Sequence, residues 1–182
     1  MRKITILNGF PDGTHSDIEK LLSAHIEKHS DTISVEIFNL RDMKIGFCVG
    51  CWDCWVKTPG LCAIKDDMPA ILKSVAASDR TVLLSPISMD FVTSQIKKTC
   101  DRMIPLVHPY VEVYHGEFHH KNRYKTYPEL GLIIIDPEKD AERFEVIRKV
   151  FERLSLNLKT NLALSMMLDG TNEEVSNAVS SL

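Results

Sequence analysis

Four cysteines fall within one short stretch: Cys48, Cys51, Cys54 and Cys62, spaced C-x2-C-x2-C-x7-C. Thiolates this close on a flexible segment can wrap an iron–sulfur cluster. The same donors suit tetrahedral zinc, and a Cys-x-x-Cys pair can act as a thiol redox couple. Reduced cysteine also packs as a small apolar side chain. The spacing leaves all four readings open. Trp52 and Trp55 sit among the cysteines, placed either to shield a bound group or to pin the loop to the body. Cys100 stands beside Ile96 and Met103 at helical spacing and reads as core.

Two other stretches carry polar groups in turn-forming surroundings. The first is Asn8-Gly9-Phe10-Pro11-Asp12-Gly13-Thr14-His15-Ser16. Gly and Pro permit a tight turn, and the helix that follows offers free N–H groups suited to a phosphate. Thr14 and Ser16 add hydroxyls, whereas the Asp12 carboxylate would repel an anion. An ordinary strand-to-helix turn capped by Ser16 explains the same residues. The second stretch is Pro86-Ile87-Ser88-Met89-Asp90-Phe91-Val92-Thr93. Met89 and Phe91 are large apolar residues in a loop, fit to line the edge of a planar ring, to cover the core or to join an interface.

These segments need a scaffold. Lys3–Gly9, Ile33–Phe38, Arg80–Ser85, Leu130–Ile135 and Leu162–Leu168 read as strands, with Pro86 stopping the third. Ser16–His29, Asp67–Ala77, Thr93–Leu106, Asp140–Leu156 and Asn172–Ser180 read as helices. Asp66 or Asp67 is expected to cap the second, with Pro69 in its first turn. Strand and helix alternation predicts right-handed crossovers and a parallel sheet covered on both faces. The expected order is the doubly wound 2-1-3-4-5, whose ligand crevice lies beyond the carboxyl ends of strands 1 and 3. All three loops are expected to converge there. Residues 107–128 read as an irregular insertion, long enough to need a task such as covering the site or building an interface. Its His119-His120 pair reads as solvated.

The bulk numbers agree with a single domain spanning 1–182. Apolar residues are 44% and charged residues 26%, which supports a packed core. A net charge of −3 gives no footprint for nucleic acid or an anionic membrane surface. No apolar run reaches membrane-span length. The N-terminus has no signal-peptide pattern, and the clustered, odd cysteine count is unlike a secreted disulfide framework. A cytoplasmic protein is expected.

The chain resembles the NAD(P)H-dependent FMN reductase and iron–sulfur flavoprotein branch of the flavodoxin-like proteins. The resemblance rests on Ile6-Leu7-Asn8-Gly9-x-Pro11, Cys48-x-Gly50-Cys51-x-x-Cys54, Lys57-Thr58-Pro59-Gly60-x-Cys62-x-Ile64-Lys65-Asp66-Asp67-Met68, and Ser85-Pro86-Ile87 before Ser94-Gln95-Ile96-Lys97. It implies a three-layer, five-stranded flavodoxin-like domain that binds FMN and takes hydride from NAD(P)H. Electrons then pass to a small-molecule or protein acceptor. It also implies a homodimer or homotetramer and a 4Fe–4S cluster on Cys48, Cys51, Cys54 and Cys62. A non-enzymatic relative whose cysteine loop holds a cluster or zinc is the alternative. The FMN contacts would come from Phe10, Asp12, Thr14, His15 and Ser16, and from Pro86, Ile87, Ser88, Met89, Asp90 and Phe91. The family pattern has Ser at Phe10, Arg near Asp12, an Asn-Thr or Asn-Ser pair at His15-Ser16 and an aromatic at Ser88. Loss of two charge-assisted contacts is expected to weaken FMN binding by about 100-fold or more. His15, if protonated, would compensate in part.

Overall fold

The computed structural model describes residues 1–181. Five parallel strands form the central sheet: β1 (Arg2–Asn8), β2 (Ile33–Asn39), β3 (Arg80–Ser88), β7 (Glu129–Ile135) and β8 (Leu162–Leu168), ordered β2-β1-β3-β7-β8. Counting only these strands, this is the expected 2-1-3-4-5 order. The fold is α/β, doubly wound and flavodoxin-like.

Period-2 side-chain alternation sorts the strand residues into two cores. Leu7, Leu83, Leu132 and Ile134 point to one face. There they meet Ile71 and Val75 of α3 (Met68–Ala77), Ile96 of α4 (Ser94–Asp101), and Ile147 and Phe151 of α5 (Ala141–Asn157). Ile4, Ile6, Val82, Leu84, Ile133 and Ile135 point to the other face. They pack on Ile18 and Leu22 of α1 (Ser16–Lys28) and on Val175 and Ala178 of α6 (Asn172–Val179). Asp140 caps α5 by accepting from the Glu142 and Arg143 amides, as a first-turn acceptor should.

Four expectations are corrected. Pro86 does not end the third strand. β3 continues to Ser88 and folds back on β4 (Phe91–Val92) through Met89 and Asp90, at φ 51° and 58°. Two successive left-handed residues make a turn of the type that matches strand twist. Pro86 is tolerated because pairing with β1 has already ended at Leu84. The helix expected over Thr93–Leu106 stops at Asp101, and Ile104–Leu106 forms a separate 3-10 turn around Pro105.

Most of the segment 107–128 is regular, and only 123–128 and the turn at 115–116 lack helix or strand. It forms a hairpin of β5 (Val107–Tyr114) and β6 (Glu117–Asn122) around His115-Gly116, at φ 52° and 79°. Alternation places its two histidines on opposite sides, and neither is simply solvated. Buried His119 bonds Asn157 of α5 at 3.0 Å and Glu117 at 3.0 Å. His120 packs on Trp55 with ring centroids 4.8 Å apart. Among the described residues no helix is long and apolar enough to cross a membrane.

Candidate functional site

The loops after β1 and β3 do meet. The Thr93 hydroxyl donates to the Gly9 carbonyl at 2.9 Å in a buried setting, and the Thr93 amide donates to Ser85 Oγ at 3.0 Å. Gly9 must lack a side chain here, since a Cβ would lie 2.5 Å from Ile96 Cγ1 and 2.9 Å from Thr93 Oγ1. The switch-point crevice is therefore held closed at its base by α4. On the β3 side Pro86 is buried, Ile87 and Phe91 are half-buried, and Ser88, Met89 and Asp90 are exposed at the turn. Met89 is 97% exposed. Asp90 is tied to Arg143 of α5 at 3.1 Å, and Phe91 lies parallel to Phe151 with centroids 6.3 Å apart. This presents an apolar and hydroxyl-bearing tip on a braced turn, suited to the edge of a planar ring.

The β1 loop is differently furnished. Four of its amides are bonded within the protein. Gly9 donates to Leu84 O at 2.8 Å, Phe10 to Asn8 Oδ1 at 3.1 Å, Thr14 to Asp12 Oδ1 at 2.9 Å, and Ser16 to Gly13 O. Pro11 has none to offer. The Thr14 hydroxyl also donates to Asp12 Oδ1. Phe10 is buried in the core and stacks on His15, with centroids 4.4 Å apart and planes within 2°. Ser16 begins α1 rather than capping it; His15 holds the cap position without a side-chain hydrogen bond. Burial pushes His15 below its ordinary value despite the Asp12 and Glu19 carboxylates. Partial compensation by a protonated His15, expected from the sequence, is therefore disfavoured. Arg41 reaches the Asp12 carbonyl at 3.4 Å, but its guanidinium is paired with Glu19 at 2.6 Å and 3.2 Å. Within the β1 loop the Asp12 carboxylate takes both Thr14 donors.

The cysteine loop follows β2 but does not open into the same crevice as expected. It runs along α4, with Lys98 over the Phe47 ring at 5.9 Å, to the end of α4 opposite Thr93. An eight-residue helix spans about 12 Å. There Trp55 Nε1 donates to the Ile104 and Val107 carbonyls at 3.2 Å and 2.9 Å, and Trp52 packs on Trp55 at 4.8 Å. Cys48, Cys51, Cys54 and Cys62 line one hollow with Trp52, Ile64 and Ile104. The first two are exposed and the last two half-buried. Burial, reinforced by Cys62, Cys51 and Cys48, pushes the Cys54 thiol up. The donor set has the chemistry for a cluster or zinc. Among the described residues, however, no three His, Cys, Asp or Glu groups stand arranged to hold a metal ion. Burial pushes Cys100 up to about 12, consistent with an inert thiol outside the set. A cleft of about 590 Å³ adjoins the loop, lined by Cys48, Trp52, Trp55, Cys100, His120 and Leu158 among others.

The pairing of Arg102 with Asp66 escaped the sequence reading, in which Asp66 figured only as a helix-cap candidate and a motif residue; in the structure Asp66 Oδ1 does accept from the Met68 amide at 3.1 Å. Arg102 and Asp66 form a buried ion pair at 2.8 Å under the loop's base. The available signal was a cation directly before Met103, on the inward side of the helix end.

Comparison with known proteins matches residues 2–122 to the family described as NADPH-dependent FMN reductase. An iron–sulfur flavoprotein of Archaeoglobus fulgidus is 35% identical over 95 residues, covering 52% of this chain and 42% of the relative. One from Methanocaldococcus jannaschii is 38% identical over 74 residues, covering 41% and 37%. The chain thus spans less than half the length of these relatives. Among solved structures, an FMN-dependent NADH-azoreductase of Bacillus anthracis in complex with FMN superposes with a TM-score of 0.63 at 15% identity, covering 100% and 95% of the two chains. An NADPH-quinone reductase of P. pentosaceus gives 0.61 at 13%, covering 100% and 95%. At such identities these likenesses establish the fold. With two thirds of its sequence matched by the family model, the chain belongs to the NADPH-dependent FMN reductase family.

Proposed function

We propose that the chain is an NAD(P)H-dependent flavin oxidoreductase that passes electrons to a small-molecule or protein acceptor. The observation that carries this reading is the Thr93–Gly9 bond, which joins the two switch-point loops into one crevice in a member of this family. The flavin supplies hydride acceptance and electron transfer; the protein supplies binding and orientation. Ser88 to Phe91 form the ring-facing wall, braced by Arg143 on Asp90 and by Phe151 beneath Phe91. Gly9 lets the β1 loop approach α4, and Thr93 holds it there. We assign no proton transfer to a side chain.

The test is NAD(P)H oxidation by the purified protein with flavin supplied, alongside a flavin-binding titration. Flavin-dependent consumption of NAD(P)H is the expected result. Absence of both binding and oxidation would overturn the reading.

A second reading is favoured by the hollow that all four cysteines line and by the self-occupied β1 loop. In it the chain is a non-enzymatic metal-binding or redox module with a 4Fe–4S cluster or zinc on Cys48, Cys51, Cys54 and Cys62. Names of the relatives above lend it support. Iron, sulfide and zinc content after anaerobic purification separates the two metals, and the flavin titration separates the two readings.

A further inference from the structure

We propose that this crevice recognises a flavin by its ring system and does not discriminate FMN from riboflavin, because the Asp12 carboxylate already occupies the anion position of the β1 loop. The inference rests on the flavin reading above and concerns which flavins the site takes.

A phosphate at a strand-to-helix turn is held by free amides, hydroxyls and a nearby cation. Several of these partners are present here and are already bonded within the protein. The Thr14 amide and hydroxyl both donate to Asp12 Oδ1. The amides of Gly9, Phe10 and Ser16 bond Leu84 O, Asn8 Oδ1 and Gly13 O. Arg41 binds Glu19 through two nitrogens, and Glu19 is held further by Asn8 Nδ2. His15 is stacked on Phe10, with its Nδ1 buried and lacking a hydrogen-bond partner.

The charge balance points the same way. Asp12, Asp17 and Glu19 bring three negative charges to the start of α1, while Lys20 and Arg41 bring two positive charges, already paired with Asp17 and Glu19. The Thr14 hydrogen bonds hold the Asp12 carboxyl below its ordinary value, with smaller help from His15 and Arg41. It is therefore ionised across the physiological range. A phosphate dianion would have to displace it, losing both Thr14 bonds to the carboxylate, and then sit beside it. Asp12 is exposed, so its replacement strands no buried charge, and Asn or Ser can still accept from the Thr14 amide as a cap.

Fluorescence titration of the full chain with FMN and with riboflavin tests this, in the wild type and in Asp12→Asn and Asp12→Ser, with circular dichroism confirming the fold. In the wild type, riboflavin is expected to bind as tightly as FMN to within about threefold, or more tightly. Both variants are expected to tighten FMN by about tenfold while leaving riboflavin unchanged. A wild-type preference for FMN of about tenfold or more would overturn the inference and leave the flavin reading standing. Equal wild-type affinities with no gain for FMN in either variant would remove Asp12 as the cause and overturn it too. Failure of both flavins to bind any of the three proteins would overturn the flavin reading itself, and the inference with it.

Discussion

Arg102 and Asp66 form a buried ion pair, their side chains 1% and 2% exposed, at the point where the cysteine loop leaves and re-enters the domain. Arg102 Nη1 donates to the Gly46 carbonyl and to Asp66 Oδ2, each at 2.8 Å, and Asp66 Oδ2 accepts from the Gly46 amide at 2.9 Å. One residue further out, Lys44 and Asp67 exchange bonds through Lys44 N to Asp67 Oδ2 and Asp67 N to Lys44 O. Both ends of the loop are thus tied together and to the end of α4. Removing one partner of such a pair strands the other charge in a low dielectric. Arg102→Met and Asp66→Ala are each expected to lower unfolding free energy by about 3–5 kcal/mol, read by urea denaturation. The double variant is expected to recover part of that loss. Simple additivity in this cycle would show that the two side chains do not act as a pair.

The same pair sets a pH dependence. Burial raises the Asp66 carboxyl, but the Arg102 bonds and the Gly46 and Met68 amides outweigh it, and the net position is below the ordinary value. The folded state therefore binds a proton less readily than the unfolded state, where the group titrates near about 3.9. Its stabilisation is complete above that value and is lost as pH falls through the lower folded value. Urea midpoints taken below about pH 4 should fall steeply in the wild type and less steeply in Asp66→Asn. Parallel curves would assign the acid loss to other carboxylates, such as Glu117, which Arg153 and His119 pull down to about 2.

Gly9→Ala inserts a methyl against Ile96 and Thr93. Ile96 is fully buried and has no room to swing away, so the β1 loop must shift. The expected destabilisation is about 1–3 kcal/mol, as for other overpacked sites. Flavin affinity should fall with it. Thr93→Val keeps the volume and removes the hydroxyl bond to Gly9, for an expected loss of about 1 kcal/mol. An unchanged flavin affinity in both variants would separate the clasp from binding.

Metal loading should depend on the four clustered cysteines and not on the fifth. Single Ser replacements at Cys48, Cys51, Cys54 or Cys62 are expected to lower iron and sulfide content after anaerobic reconstitution. Cys100→Ser should leave it unchanged, because that thiol is held protonated by burial. Since burial and its neighbours also raise Cys54, loading releases protons and should weaken as pH falls. Equal loading of the Cys54→Ser and wild-type proteins would remove Cys54 from the ligand set.

The β5–β6 hairpin exposes Tyr110, Val111, Val113 and Phe118, the last at 79%. An apolar group this large on one hairpin is the mark of an interface, and the prediction is that copies of the chain meet there. Phe118→Glu should shift the molar mass measured by light scattering toward the monomer. No shift, or a monomeric wild type, would rule out this face.

What could be read along the chain was whatever depends on short-range pattern. Uniformly apolar runs marked strands buried on both faces, as at Val82, Leu83 and Leu84, and helical spacing marked Ile18 and Leu22. Alternation of the two then dictated the sheet order. Hairpins were harder to see. Val107–Tyr114 alternates only in part and includes Pro109, and its turn is His-Gly rather than a stronger turn pair, so a two-stranded ribbon looked irregular. β3 ran past Pro86 because a missing amide matters only where a neighbouring strand needs it.

The candidate site divides the same way. Residue types alone placed the turn at Gly9–Ser16 and the thiols at Cys48–Cys62, since turn chemistry and donor spacing are local properties. The tertiary structure decided where those groups went. Arg102 and Asp66, 36 positions apart, anchor the cysteine loop at the end of α4 opposite the switch-point crevice. Asp12, within the very loop whose turn chemistry suits a phosphate, turns its carboxylate onto Thr14 instead. Both outcomes rest on which donor meets which acceptor once the chain is packed, and burial gives those pairings their energy.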